Sequence, residues 1–117
     1  MGFRKEDVAW AAGLFEGEGC VNIARNYWTR KGEKRSRPTP QCKLVVSMTD
    51  REPVEKFAAI FGGRVNGPYQ YGKKHYKPFW SAQIDSPPAV KSAAQAMYPY
   101  LSPRRQGQIE VIYSPKI

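Results

Sequence analysis

Histidine is nearly absent from this chain, and cysteine is scarce. His75 is the one histidine, preceded by Lys73 and Lys74 and far in sequence from Glu16 and Glu18. It suits a phosphate contact or a bystander better than a general base. No Ser-His-Asp, Cys-His or phosphate-loop pattern occurs, which removes the common nucleophilic and nucleotide-binding sites. Cys20 and Cys42 have no metal-ligand spacing, and one potential disulfide is not a framework, so a reducing compartment is the simpler home. Apolar runs fall short of a membrane span, and Met1-Gly-Phe-Arg-Lys lacks the hydrophobic stretch of a secretory signal. An intracellular, non-secreted protein with no membrane role is expected, cytoplasmic or wherever its partner lies. Acid is also in short supply: ten Asp and Glu stand against nineteen Lys and Arg, for a net charge of +9. That balance predicts a polyanionic partner, although acidic membranes and proteins attract basic chains too. A length of 117 residues predicts one domain, 1–117, with a proper core.

What is present is unevenly placed. Residues 20–48 and 64–84 read as strands and turns, and hold eleven of the nineteen Lys and Arg but a single acid, Glu33. The basic surface is therefore expected mostly on a sheet. The acids gather in helical stretches, with Glu6, Asp7, Glu16 and Glu18 in the first and Asp50, Glu52 and Glu55 in the second.

The densest chemistry lies between Trp10 and Gly19. A helix from about Asp7 carries Ala9, Gly13 and Gly17 at i, i+4 and i+8, with Ala12 and Glu16 beside them. So bare a stripe lets another helix backbone approach, while Trp10, Leu14 and Phe15 point elsewhere and can anchor the helix in a core. Glu16 and Glu18 fall where the helix runs out, among glycines (Gly13, Gly17, Gly19) that cost helix stability. On these residues alone, the glutamates suit a solvated helix end as well as a chemical site, and the glycine exit suits a plain C-cap.

From Cys20 to about Arg30 the pattern alternates, Val21 and Ile23 on one face, Asn22, Ala24, Asn26, Trp28 and Arg30 on the other. Arg25 breaks the apolar face, so the strand is expected to leave the core there. Residues 30–40 read as a polar, proline-punctuated loop too long for a tight hairpin, either disordered or ordering against phosphates. Gln41 to Met48 returns as a strand, with Cys42, Leu44 and Val46 inward and Gln41, Lys43 and Val45 outward. Thr49 and Glu52 have capping-box spacing, and Asp50 is an alternative cap. Val54, Phe57, Ala58 and Phe61 follow at helical spacing, and Gly62-Gly63 ends that helix. Arg64–Tyr71 and Tyr76–Ile84 make a second hairpin around Gly72 to His75, where Pro68 and Pro78 argue for edges or bulges. Ser86 before Pro87-Pro88 opens a helix with Val90, Ala93, Ala94 and Met97 inward, closed by Pro99. Ser102-Pro103 repeats that signature before Ile109, Ile112 and Tyr113, so the order is αββαββαα. Arg104 and Arg105 sit in the last helix's first turn, where cations are unfavourable by ~0.3–1 kcal/mol. Either an anion compensates or the pair is simply solvated.

Ala11-Ala-Gly-Leu-Phe-Glu-Gly-Glu-Gly19 resembles the motif of the LAGLIDADG homing endonucleases. Ala12, Gly13, Leu14 and Gly19 are identical. Ala11 replaces the first leucine, Phe15 the isoleucine and Gly17 the second alanine, while Glu16 and Glu18 stand for the aspartates. With the element order included, the resemblance covers nearly the whole chain. It implies an α+β, αββαββα(α) domain whose four-stranded antiparallel sheet forms a DNA-binding saddle with helices on the other face. It further implies a site-specific endonuclease hydrolysing phosphodiester bonds of a long, near-palindromic duplex DNA with Mg2+. Mn2+ would substitute, Ca2+ would support binding without cleavage, and no organic cofactor is implied. One motif per chain implies a homodimer, with Ala9, Ala12, Gly13, Glu16 and Gly17 at the helix seam. Each Glu18 would be a metal ligand facing one scissile phosphate, with Gly17 lending its carbonyl. The family's basic residue at the start of the last helix, shortly after a Pro-aromatic-Leu run like Pro99-Tyr-Leu101, falls on Arg104, with Arg105 the next choice. A water-ordering polar residue, often glutamine, at the end of the second strand falls on Met48, which cannot do that work; Ser47 and Thr49 are its polar neighbours. A catalytically inactive DNA-binding regulator or an intron-RNA maturase is the alternative on the same fold.

The chemistry of such a role is visible in the outward strand residues. Asn22, Asn26, Arg30, Gln41, Lys43, Arg64, Asn66 and Gln70 are side-chain types that pair with base edges. Trp28 suits stacking or packing on sugars, and Arg35, Arg37, Lys73, Lys74 and Lys77 suit phosphate contacts that position without specifying. Each singly is as well explained by solvation; the argument rests on the set.

Overall fold

The computed structural model describes residues 2–26, 29–30, 33–34, 39–70, 72 and 77–113. Helix α1 (Lys5–Glu18) buries Val8, Ala11, Ala12 and Phe15, an i, i+3, i+4, i+7 stripe. Glu6 and Asp7 occupy its first turn, where the helix dipole favours acids. It ends without a loop, because Gly19 is both its C-cap and the first residue of β1 (Gly19–Asn26). A Cβ on Gly19 would stand 2.3 Å from Cδ1 of Phe15 and 2.5 Å from the Phe15 carbonyl oxygen, so only glycine permits this reversal.

β1 pairs antiparallel with β4 (Thr39–Met48), from Gly19↔Val46 to Asn26↔Thr39. The ladder runs past Arg25, the point where the apolar pattern breaks. Between these strands, where a loop is expected, β2 (Thr29–Arg30) and β3 (Glu33–Lys34) form a small ladder of their own. Only two residues separate Arg30 from Glu33 in the sequence, so little loop-closure entropy opposes their pairing. Helix α2 (Arg51–Phe61) is capped by Asp50, which accepts from the Glu52 amide at 3.4 Å, and ends at Gly62 in the left-handed region, φ 75°. β5 (Arg64–Tyr69) and β6 (Phe79–Ile84) follow. Then come α3 (Pro87–Met97), a 3-10 turn (Tyr98–Tyr100) and α4 (Pro103–Tyr113). Ser86 stands at the N-cap of α3 without a side-chain hydrogen bond.

The sheet order is β1-β4-β6-β5, every pair antiparallel. β5 is an edge strand whose register shifts between Asn66 and Tyr69, around Gly67 and Pro68, as the proline suggests. Pro78 lies just before β6, which is central and so begins only at Phe79. Leu44, Val46, Ala82 and Ile84 line the inner face and meet Phe15, Val54, Phe57, Val90, Met97 and Ile109 from the helices. Burying each large side chain of this set contributes roughly 1.5–3 kcal/mol. The helices thus cover one face of the sheet, and no helix among the described residues packs on the other, its bare face.

Candidate functional site

The two glutamates at the end of α1 have different fates. Glu16 is half-buried, and its carboxylate accepts from Ser102 twice, from the amide at 2.9 Å and from the hydroxyl at 2.8 Å. Ser102 stands immediately before α4, and its Oγ also accepts from the Arg105 amide at 3.3 Å, the bond of an N-cap residue. Glu16 is therefore the anion at the positive end of α4. Both Ser102 bonds, then the charges of Arg105 and Arg104, hold its carboxyl below the ordinary glutamate value despite the opposing effect of burial. The return contact comes from Arg105, whose Nε and Nη2 each donate to the Glu16 carbonyl at 3.2 Å. A carbonyl in the last turn of a helix has no intrahelical donor, so this guanidinium serves as a C-cap for α1. Arg105 is 8 % exposed, lies 5.3 Å over the Phe15 ring and gives Nη1 to Gln108 at 2.9 Å. Its neighbour Arg104 is exposed. Successive helical residues are about 100° apart, which turns one arginine inward and leaves the other in solvent.

Glu18, two residues beyond Glu16, is exposed and makes no hydrogen bond or ion pair among the described residues. Gly17 beside it is exposed, and nothing lies within 4 Å of where its Cβ would be; the same is true of Gly13. With exposed Ala9, these two glycines form the open stripe of α1. Ala12 is fully buried in the chain's own core instead. Hard carboxylate and carbonyl oxygens, as Glu18 and Gly17 offer, are the donor type that magnesium and calcium take. Among the described residues no three His, Cys, Asp or Glu side chains come together to hold a metal ion. Met48 packs against the core, on the inner face. Ser47 on the outer face donates to Ser81 Oγ at 3.3 Å, and Thr49 is exposed.

The bare face of the sheet carries three cross-strand rows. Asn22 stands opposite Lys43; Val45 and Gln83 lead to Arg64; Ser47 and Ser81 lead to Asn66. Asn22 and Arg64 are exposed, Lys43 and Asn66 half-buried, and Gln70 and Lys77 exposed beyond the strand ends. Arg64 is not free: its Nη2 donates to Asp85 Oδ2 at 2.6 Å, an acid that follows β6 directly. For Asn26, Arg30 and Gln41 the backbone alone is described, and it lies in the ladders. Trp28, Arg35, Arg37, Lys73 and Lys74 lie outside the described residues, as does His75. Ser102 and Asp85 are the residues that spacing does not single out. Ser102 reads locally as a cap, but its partner is 86 positions away. Asp85 reads only as the residue before the Ser86 cap.

No family model matches the chain, and no curated protein does. Solved structures do. I-CeuI, a group I intron-encoded homing endonuclease complexed with DNA, superposes with a TM-score of 0.70 at 16% identity, over 97% of this chain and 55% of that one. I-CvuI, a homing endonuclease in complex with its target in the presence of Ca, gives 0.68 at 16% identity, over 94% and 65%. The archaeal intron-encoded homing endonuclease I-Vdi141I, complexed with DNA, gives 0.68 at 12%, over 93% and 65%. The chain spans less than two thirds of the length of these three proteins. The helices and four-stranded antiparallel sheet among the described residues, in this order, have the fold of these homing endonucleases and of the LAGLIDADG homing endonuclease I-SmaMI.

Proposed function

We propose that this chain is a site-specific, divalent-metal-dependent DNA endonuclease that works as a homodimer on a long, near-palindromic duplex. The observation that carries this reading is Glu18. It is a carboxylate without a hydrogen bond or ion pair among the described residues, at the tip of a helix whose neighbouring exposed residues are Ala9, Gly13 and Gly17, at the start of the strand that opens the bare face of the sheet. Two copies packed through that stripe would bring two Glu18 carboxylates, with Gly17 carbonyls, to one centre, and would set two sheets along the major groove. Small residues on a helix face allow the close backbone approach such packing needs.

Phosphodiester hydrolysis requires in-line attack by water while charge grows on the nonbridging and leaving oxygens. A bound Mg2+ supplies stabilisation of that charge. Glu18 would hold the cation, and exposed Arg104, in the first turn of α4, would add a fixed positive charge beside the same oxygens. Arg105, being committed to α1, would act by holding and not by touching substrate. Asn22, Lys43, Arg64 and Asn66 would meet base edges, with Lys77 on phosphate.

The test is cleavage of a duplex selected from a randomised library in Mg2+, with Ca2+ as the binding-only control. Glu18→Gln keeps size and removes charge, so it should abolish cleavage while binding persists or tightens, because a carboxylate has been removed from beside phosphates. Equal cleavage by wild type and Glu18→Gln would remove Glu18 from the site. Tight specific binding without cleavage by either would favour a regulator.

A further inference from the structure

The acid and the base assigned to chemistry above, Glu18 and Arg104, are each two residues past a member of one tie, Glu18 past Glu16 and Arg104 past Ser102. We infer that this tie is a positioning device: Ser102 and Arg105 hold the last turn of α1 so that Glu18 and Arg104 keep one separation. The inference rests on the endonuclease reading, and what it adds is the residues that set the geometry without touching DNA or metal.

The argument starts from the weakness of that turn. Gly17 lies inside it and Gly19 ends it, two residues that lose more conformational freedom on ordering than any other. Among the described residues Gly17 has no neighbour within 4 Å of its Cβ position, so no side-chain packing there steadies it. What holds the turn from within the chain is the other side. The Arg105 guanidinium grips the Glu16 carbonyl with two donors at 3.2 Å, while Ser102 takes both carboxylate oxygens of the same residue. A two-point grip on one residue fixes orientation as well as distance. Arg105 is itself fixed by Phe15 below and Gln108 beside it. Glu18 and Arg104 make no such contacts among the described residues, so their placement is inherited from Glu16 and Ser102.

The test uses the full chain and two measurements. Arg105→Met keeps the apolar stem over Phe15 and removes the grip; Ser102→Ala removes the hydroxyl, and Ser102→Thr restores it. At a temperature where all are folded, Arg105→Met and Ser102→Ala should lower kcat by roughly 10- to 100-fold, the scale of an ångström-sized misplacement. Kd for the selected duplex should stay within about twofold, since neither residue is assigned to DNA, and Ser102→Thr should recover most of the rate. Hydrogen exchange at the Gly17, Glu18 and Gly19 amides should speed up in both impaired variants while Ala11 and Ala12 stay protected. Wild-type kcat in Arg105→Met or Ser102→Ala would make the tie merely structural and overturn the inference. Unchanged exchange at those three amides would overturn it independently of activity. Failure of the endonuclease reading is told apart because wild type itself then cleaves no duplex.

Discussion

Glu16 takes both Ser102 donors on its carboxylate and Arg105 on its carbonyl, and this concentration of contacts on one residue gives it a pH signature. Its carboxyl is held below the ordinary value, so the folded state favours the ionised form. The stability it contributes is fully present above the unfolded value, roughly pH 4.3, and is lost as pH falls through the lowered folded one. Glu16→Gln, which cannot accept from both Ser102 donors in the same way, should therefore melt below wild type at neutral pH. The gap should close as both are taken into acid; thermal melts across that range would show it, and a constant gap would mean that ionisation of Glu16 is irrelevant. The sequence made the compensating anion legible as a need, from two arginines at a helix start, but not its identity. No local pattern links position 16 to position 102, and adjacency could not tell which arginine turned inward.

At the scale of elements, α1 is a helix with one face in the core and one face nearly without side chains. That asymmetry gives a discriminating substitution. Within the described chain, a Cβ added at Gly13 would meet nothing within 4 Å, and replacing a helical glycine gains up to about 0.8–1 kcal/mol of helix propensity. Gly13→Leu should accordingly raise the melting temperature of the separated subunit while abolishing self-association, because a seam of close backbones cannot take the added volume. Sedimentation and melting of the same sample would check both; a Gly13→Leu protein that still dimerises removes the seam from α1. Most element ends were readable from their punctuation, Gly62 after Phe61, Pro99 after Met97, Ser102 before Pro103, since capping and breaking are local effects. The ladder of β2 and β3 was not, because residues 29–34 lack the apolar alternation by which strands announce themselves, and pairing there rests on the short separation of the two segments.

The whole molecule carries a net charge of +9 and a sheet on one face of which no described helix packs. Its binding to duplex DNA should weaken steeply with salt. Lys77→Ala should weaken it on every sequence and reduce the slope of log affinity against log salt by about 0.9, the value for one phosphate contact on B-form DNA. Asn22→Ala should leave the slope alone and relax preference at particular bases, and titrations on matched and mismatched duplexes at several salt concentrations separate the two. Identical behaviour of both variants would show that the sheet does not sort its contacts in this way. Arg64 would enter such an interface with an acid already attached, a pairing invisible in sequence because Asp85 lies 21 positions away. The immediate passage from α1 into β1 at Gly19 has a mechanical consequence. A strand fused to a helix with no loop behaves as one bent rod, so in an assembly joined through α1 the angle at which the two helices cross is also the angle at which the two sheets splay. The curvature of DNA that such a pair would accept would then be set at its centre, by the residues of α1.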